Sequence, residues 1–212
     1  MAAAWSKSLL TTVRKSLIII FYRNPELGKV KTRLAATLGD DKALAVYLRL
    51  VNHTQSITKD LIMDKMVCYS HHVDTEDCWD NTTYQKQIQK GNTLGDKLEH
   101  AVKHAFDQGY QYVGVIGSDC FELTEDILKN SFLKLQTNDA VIGPAKDGGY
   151  YLLGMRKFVT EFFKNKEWST ATVAKDTIND FKRLGLTHFV LPVLSDVDRE
   201  EDLPKGLLNK LR

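Results

Sequence analysis

The run Ser16-Leu-Ile-Ile-Ile-Phe-Tyr22 constrains this chain more than any other stretch. It is apolar without alternation, as expected of a strand covered on both faces, and such strands belong to parallel sheets in α/β folds. Asn24-Pro25-Glu26-Leu27-Gly28 then breaks the chain. Lys65–Ser70, Tyr112–Ile116, Asp139–Gly143, Tyr150–Met155 and His188–Val193 read as further strands, with a weaker one over Tyr84–Gln89. Helical spacing separates them. Leu44, Tyr47, Leu48 and Val51 mark a helix within Asp40–Asp60. Leu94, Leu98, Ala101, Val102 and Ala105 form an apolar stripe behind the N-cap Thr93 and before Gly109. Thr124 opens another helix, with Glu125 and Asp126 in its first turn. Thr172–Leu184 reads as a helix, and a closing one is expected from about Leu203. His71–Thr83 reads as loop. The alternation predicts an α/β fold: a mostly parallel sheet flanked by helices, three layers deep.

The length of 212 residues suits one domain, with its core over about 16–203. Hydrophobic residues at 43% and charged residues at 26% are globular proportions, and a net charge of +2, interspersed, carries no basic stripe for nucleic acid. Cys68, Cys78 and Cys120 form no CxxC pair, and their odd count points to a reducing, cytoplasmic setting. Met1–Lys15 has too short an apolar stretch for a signal-peptide core, and no run approaches the ~20 residues of a membrane span. The tryptophans Trp5 and Trp79 read as packing residues, Trp168 in the polar context Glu167-Trp168-Ser169-Thr170 as a packing residue or a stacking platform, and the histidines lack metal-ligand spacing.

Ligands of open α/β sheets bind beyond the carboxyl ends of strands, and four such places are polar or glycine-rich. After the first strand, Arg23, Lys29, Lys31 and Arg33 crowd a turn containing Gly28. Cations and glycine-exposed amides suit a phosphate, although a solvated basic loop has the same composition. The Walker pattern is absent, since Gly28-Lys29 is followed by Val30. Gly117-Ser118-Asp119-Cys120 places a carboxylate at a strand end, a good ligand for Mg²⁺ or Mn²⁺, or else an ordinary turn aspartate. Asp147-Gly148-Gly149 precedes another strand. Asp147 can hold a sugar hydroxyl, an acceptor group or a metal-bound water, while Asp-Gly is equally a hairpin signal. In Asp196-Val197-Asp198 the two carboxylates share one side of an extended segment and can face one cation.

These motifs together resemble a family of glycosyltransferase-like proteins found beside radical-SAM proteins, once named only as a domain of unknown function. Its wider relatives are the GT-A-type nucleotide-diphospho-sugar transferases, the molybdenum-cofactor guanylyltransferase and the phospholactate guanylyltransferase. The resemblance runs from about Leu17 to Leu203. It rests on Phe21-x-Arg23-x-Pro25-x-x-Gly28-x-Val30-Lys31-Thr32-Arg33-Leu34, on Gln89-x-Gly91 with Leu94-Gly95, and on Gly117-Ser118-Asp119-Cys120. Further on come Gly143-Pro144 with Asp147-Gly148-Gly149-Tyr150-Tyr151, Trp168-Ser169-Thr170, Leu191-Pro192, Asp196-Val197-Asp198 and Asp202-Leu203. Two positions depart from the family pattern: Phe121 stands where a proline is usual, and Thr93 where an acid is usual.

The resemblance implies a GT-A-like fold. It implies Asp119, Asp196 and Asp198 as ligands of Mg²⁺ or Mn²⁺, and Arg23, Gly28, Lys31, Arg33, Gln89, Gly91, Gly148 and Gly149 as the nucleotide site. Lys31 and Arg33 would neutralise the leaving diphosphate and Asp147 would meet the transferred group or the acceptor. The implied partners are a nucleotide or nucleotide-sugar donor and a small-molecule acceptor, with no membrane or nucleic acid. Glycosyl transfer is the first expectation. Attack of a phosphorylated acceptor on an NTP, and a binding module without catalysis, are the alternatives.

Overall fold

A computed structural model describes residues 15–204. The basic start with Trp5, and residues 205–212, lie outside this range. One seven-stranded sheet organises the chain, in the order β3-β2-β1-β4-β6-β5-β7. Its strands are β1 (Ser16–Tyr22), β2 (Asp64–Tyr69), β3 (Tyr84–Ile88), β4 (Tyr112–Ile116), β5 (Ala140–Pro144), β6 (Tyr150–Met155) and β7 (His188–Val190). All pairs are parallel except those of β6, which runs against both β4 and β5.

The apolar run of β1 fills both layers. Ile18, Ile20 and Tyr22 face one core with Tyr47, Val51, Leu128 and Phe132, while Leu17 and Ile19 face another with Leu98, Val102 and Phe181. This is the strand period of two applied to a segment with no solvent side. The helices supplying those faces are α2 (Asp40–Thr58) and α4 (Glu125–Leu135) on one side, α3 (Leu94–Asp107) and α5 (Val173–Arg183) on the other. Thr93 caps α3 by accepting from the Asp96 amide, and the Asp96 carboxylate returns to the Thr93 amide, so the usual acid at position 93 is replaced here by a capping box. Among the described residues no helix is long and apolar enough to cross a membrane.

Three expectations need correction. The basic segment does not stay a loop through Arg33: a short helix, α1 (Thr32–Leu38), starts inside it and buries Leu34 against Ala43, Val46 and Leu50. The last strand stops at Val190, because Pro192 has no N–H to continue the ladder. A bridge from Ala145 to Leu194 resumes the pairing beyond it. No helix starts at Leu203, which is extended and follows a single 3₁₀ turn over Glu200–Asp202; the rest of that expected helix falls outside the described residues.

Candidate active site

β1 and β4 are neighbours, so their carboxyl ends deliver Arg23 and Asp119 to one rim. Tyr47, reaching up from α2, fastens the two ends. Its hydroxyl donates to the Arg23 carbonyl at 2.7 Å, accepts from the Arg23 amide at 3.1 Å and lies 3.4 Å from the Ser118 hydroxyl. Burial pushes the Tyr47 hydroxyl up to about 12, so it remains a proton donor. Asn24 ties the same rim to β2. Its Oδ1 accepts from the Ser70 hydroxyl and the His71 amide at 3.1 Å each, and its Nδ2 donates to the His72 carbonyl at 3.0 Å. Neither residue carries a sequence signal that separates it from an ordinary tyrosine or turn asparagine.

The four cations of the first loop divide. Lys29 folds back onto Glu26 at 2.6 Å, and the exposed Arg23 reaches only the Lys29 carbonyl at 3.4 Å. Lys31 turns inward. It adopts φ 47° and ψ 44°, a left-handed conformation rare for a side-chain-bearing residue, immediately before α1. Its ammonium lies 3.0 Å from Asp119 Oδ2. Arg33, in the first turn of α1, holds Asp198 Oδ2 at 2.6 Å. Gly28 has φ 73°, which opens the turn that lets the loop double back.

Asp119 hangs over Gly117, where a Cβ would stand 2.8 Å from Asp119 Oδ1, so the glycine makes room for the carboxylate. The Asp119 carbonyl also accepts the Val197 amide at 3.0 Å, which pins the segment after β7 across the end of β4. Asp196 is thereby drawn in. Its Oδ1 is sealed from solvent without a hydrogen-bond partner. Burial first, then the charges of Asp119 and Asp147, push the Asp196 carboxyl up to about 7, against a smaller opposing pull from Lys31. The Cys120 thiol packs beside it and donates to the Ser195 carbonyl at 3.6 Å.

Asp147, whose charge acts on Asp196, arrives from the turn between β5 and β6. That turn is a hairpin: Gly148 N–H donates to the Ala145 carbonyl at 3.0 Å and Ala145 N–H to the Gly149 carbonyl at 2.9 Å. Hairpin and site coincide. Asp147 Oδ1 accepts the Gly149 amide at 2.9 Å, and the residue remains exposed at the rim. The positive φ sits at Gly148, where a Cβ would stand 2.1 Å from the Ala171 carbonyl oxygen; Gly149 faces only the Asp147 carboxylate at 3.2 Å.

Other residues of these motifs make contacts within the chain. Asp198 is engaged by Arg33, and the charges that act most on Asp196 are those of Asp119 and Asp147. Gln89 spends its amide nitrogen on the carbonyls of Cys68 at 2.8 Å and Tyr22 at 3.2 Å, bracing the β1 and β2 ends. At Gly91, φ is 136° and a Cβ would come within 2.6 Å of Asp96, so this glycine lets the loop lie on the start of α3. Among the described residues no three His, Cys, Asp or Glu side chains form a ready-made metal cluster.

Comparison with known proteins agrees with this architecture. A crystal structure of a Desulfovibrio desulfuricans G20 protein assigned to the nucleotide-diphospho-sugar transferases superposes with a TM-score of 0.83 at 32% identity, over 93% of this chain and 95% of that one. At 13% identity, 4-diphosphocytidyl-2C-methyl-D-erythritol synthase from Anaerococcus prevotii shares the fold, with a TM-score of 0.58 over 96% and 99% of the two chains. Glucosyl-3-phosphoglycerate synthase of Mycobacterium tuberculosis, solved with Mn²⁺ and UDP, does so at 12% identity, with a TM-score of 0.53 over 92% of this chain and 76% of that one. No curated protein matches the sequence. Residues 53–170 match the family described as uncharacterised proteins conserved in bacteria, DUF2064, and with more than half of its length inside that match the chain belongs to this family.

Proposed function

We propose that this chain is a divalent-metal-dependent transferase that takes a nucleotide-sugar donor and moves the sugar to a small-molecule acceptor. The observation that carries the reading is Asp196 Oδ1, water-excluded and unpartnered among the charges of Asp119 and Asp147. A buried carboxylate oxygen without a donor is costly unless something positive completes it. The residues fit Mg²⁺ or Mn²⁺: the donors are hard oxygens, and Mg²⁺ commonly takes one or two carboxylates and finishes its shell with water and substrate phosphates. A closed protein cage is not required.

Asp119 and Asp196 would hold the cation, which supplies charge neutralisation to a leaving diphosphate. Lys31 and Arg33, beside these carboxylates, would bind the diphosphate oxygens, where positive charge is most useful as the leaving group gains negative charge. Asp147, fixed by its own turn, would orient an acceptor hydroxyl and accept its proton. The near-full-length likeness at 32% identity to a protein assigned to the nucleotide-diphospho-sugar transferases supports the donor class.

The test incubates the protein with a panel of nucleotide sugars, with Mn²⁺ or with EDTA, and follows phosphorus products by ³¹P NMR. Metal-dependent release of a nucleoside diphosphate is expected. Pyrophosphate released from an NTP in the presence of a phosphorylated acceptor would instead make the chain a nucleotidyltransferase. Metal-independent nucleotide binding with no product of either kind would reduce it to a binding module.

A further inference from the structure

Lys31 is held unusually for a lysine in a basic loop. Its left-handed backbone aims the side chain inward, only 7% of that side chain is exposed, and its ammonium contacts Asp119 at 3.0 Å. The same charge acts on Asp196. Lys31 is thus paired with one of the two carboxylates that the proposed function gives to the cation. An ammonium and a divalent ion that share one carboxylate oxygen stand only a few ångströms apart, and their repulsion at that range is substantial in a partly buried site.

Resting on that reading of the metal site, we infer that Lys31 is the resident counter-ion of Asp119, exchanged for the metal when donor arrives. With no nucleotide present, Lys31 opposes metal entry. A diphosphate gives the displaced ammonium a new acceptor, so metal and donor bind together better than either binds alone. Arg33 is not placed for this exchange, because its partner is Asp198, which the proposed function does not give to the cation. The strained φ of Lys31 fits a residue fixed for function rather than for fold.

The exchange predicts a sign that a merely structural or phosphate-binding lysine does not. Mn²⁺ alone, titrated by EPR without nucleotide, should bind Lys31→Met about tenfold more tightly than the unaltered protein, since a competing cation has been removed. UDP should then improve Mn²⁺ binding less in Lys31→Met than in the unaltered protein. A crystal of the unaltered protein soaked in Mn²⁺, with the ion located by its anomalous signal, should show Lys31 Nζ beyond the ~4 Å reach of an ion pair with Asp119. That crystal decides the matter even where Lys31→Met folds poorly. Mn²⁺ bound to Asp119 with Lys31 still in contact, or Mn²⁺ binding no tighter in a folded Lys31→Met, would overturn the exchange while leaving the metal site standing. No Mn²⁺ bound to either protein, even with UDP, would overturn both.

Discussion

The Tyr47 hydroxyl holds both main-chain polar groups of Arg23, donating to its carbonyl and accepting from its amide. The residue that opens the basic loop is thus held by a side chain from the helix beneath it. Tyr47→Phe leaves the ring in place and strands two backbone groups. It should cost about 1–2 kcal/mol of stability, read as a lower urea midpoint with unchanged slope. Nucleotide affinity should also fall several-fold, because the loop loses its anchor. An unchanged midpoint would mean that water replaces the hydroxyl freely.

Asp196 makes a pH prediction with a definite sign. Its folded pKa, about 7 in the metal-free chain, lies above the ordinary carboxylate value. Between roughly pH 4 and 7 the folded chain keeps a proton that the unfolded chain has lost, so this group lowers stability as pH rises through that window. Above it the full cost is felt. In EDTA, Asp196→Asn should therefore melt higher than the unaltered protein at pH 8, by several degrees, and the gap should close towards pH 5. Saturating Mn²⁺ should raise the melting temperature of the unaltered protein only. Parallel melting curves across pH would remove the argument that this carboxylate is held at a cost.

Gly148 and Gly149 separate under substitution. A Cβ at Gly148 meets the Ala171 backbone and a φ of 89°, and the chain on both sides is bonded in place. Gly148→Ala should destabilise the protein by about 2 kcal/mol or more. Gly149→Ala, facing one movable carboxylate, should cost less than half as much. Equal losses in thermal denaturation would show that the turn relaxes more than its contacts suggest.

Asp147→Asn tests chemistry without disturbing shape. The asparagine Oδ1 can still accept the Gly149 amide, so the hairpin and the melting temperature should be preserved. Turnover should fall about a hundredfold while nucleotide affinity stays within about twofold, the pattern of an interaction that matters after the donor is bound. Full activity in single-turnover assays would return Asp147 to a turn residue.

The central strands were legible because their apolar runs leave no solvent face, and Tyr112–Ile116 and Tyr150–Met155 end where glycine or polar residues begin. The helix α1 was not, since its first turn consists of the cations and threonine that read as loop. Its one buried anchor, Leu34, has Leu38 four residues on as its only large apolar partner, too short a stripe to read as a helix. Asp119 and Asp196 were legible by position, each just past a strand. The partnership of Asp196 was not: sequence proximity favoured Asp198, whereas packing of Val197 under α2 and the pull of Arg33 separate the two roles, and Asp147 arrives through strand order. The departures from the family pattern also find explanations only in three dimensions. Phe121, in place of proline, lies 4.6 Å from the His53 ring, and His53 Nε2 lies 2.8 Å from the Leu123 carbonyl, so the turn after Asp119 is tied to α2 by side chains rather than by a proline ring.

The antiparallel strand β6 has a mechanical consequence. Because it runs against its neighbours, its start rather than its end lies at the working rim, and the hairpin carrying Asp147 is clamped by β4 on one flank and by β7 and the Leu194 bridge on the other. The remaining rim segments each leave a single strand end and continue into a helix or a long loop. The Asp147 hairpin is therefore the rim segment tied to the sheet on both flanks, whereas the basic turn before α1 is fastened by side chains, through Tyr47 and the ion pairs of Lys31 and Arg33.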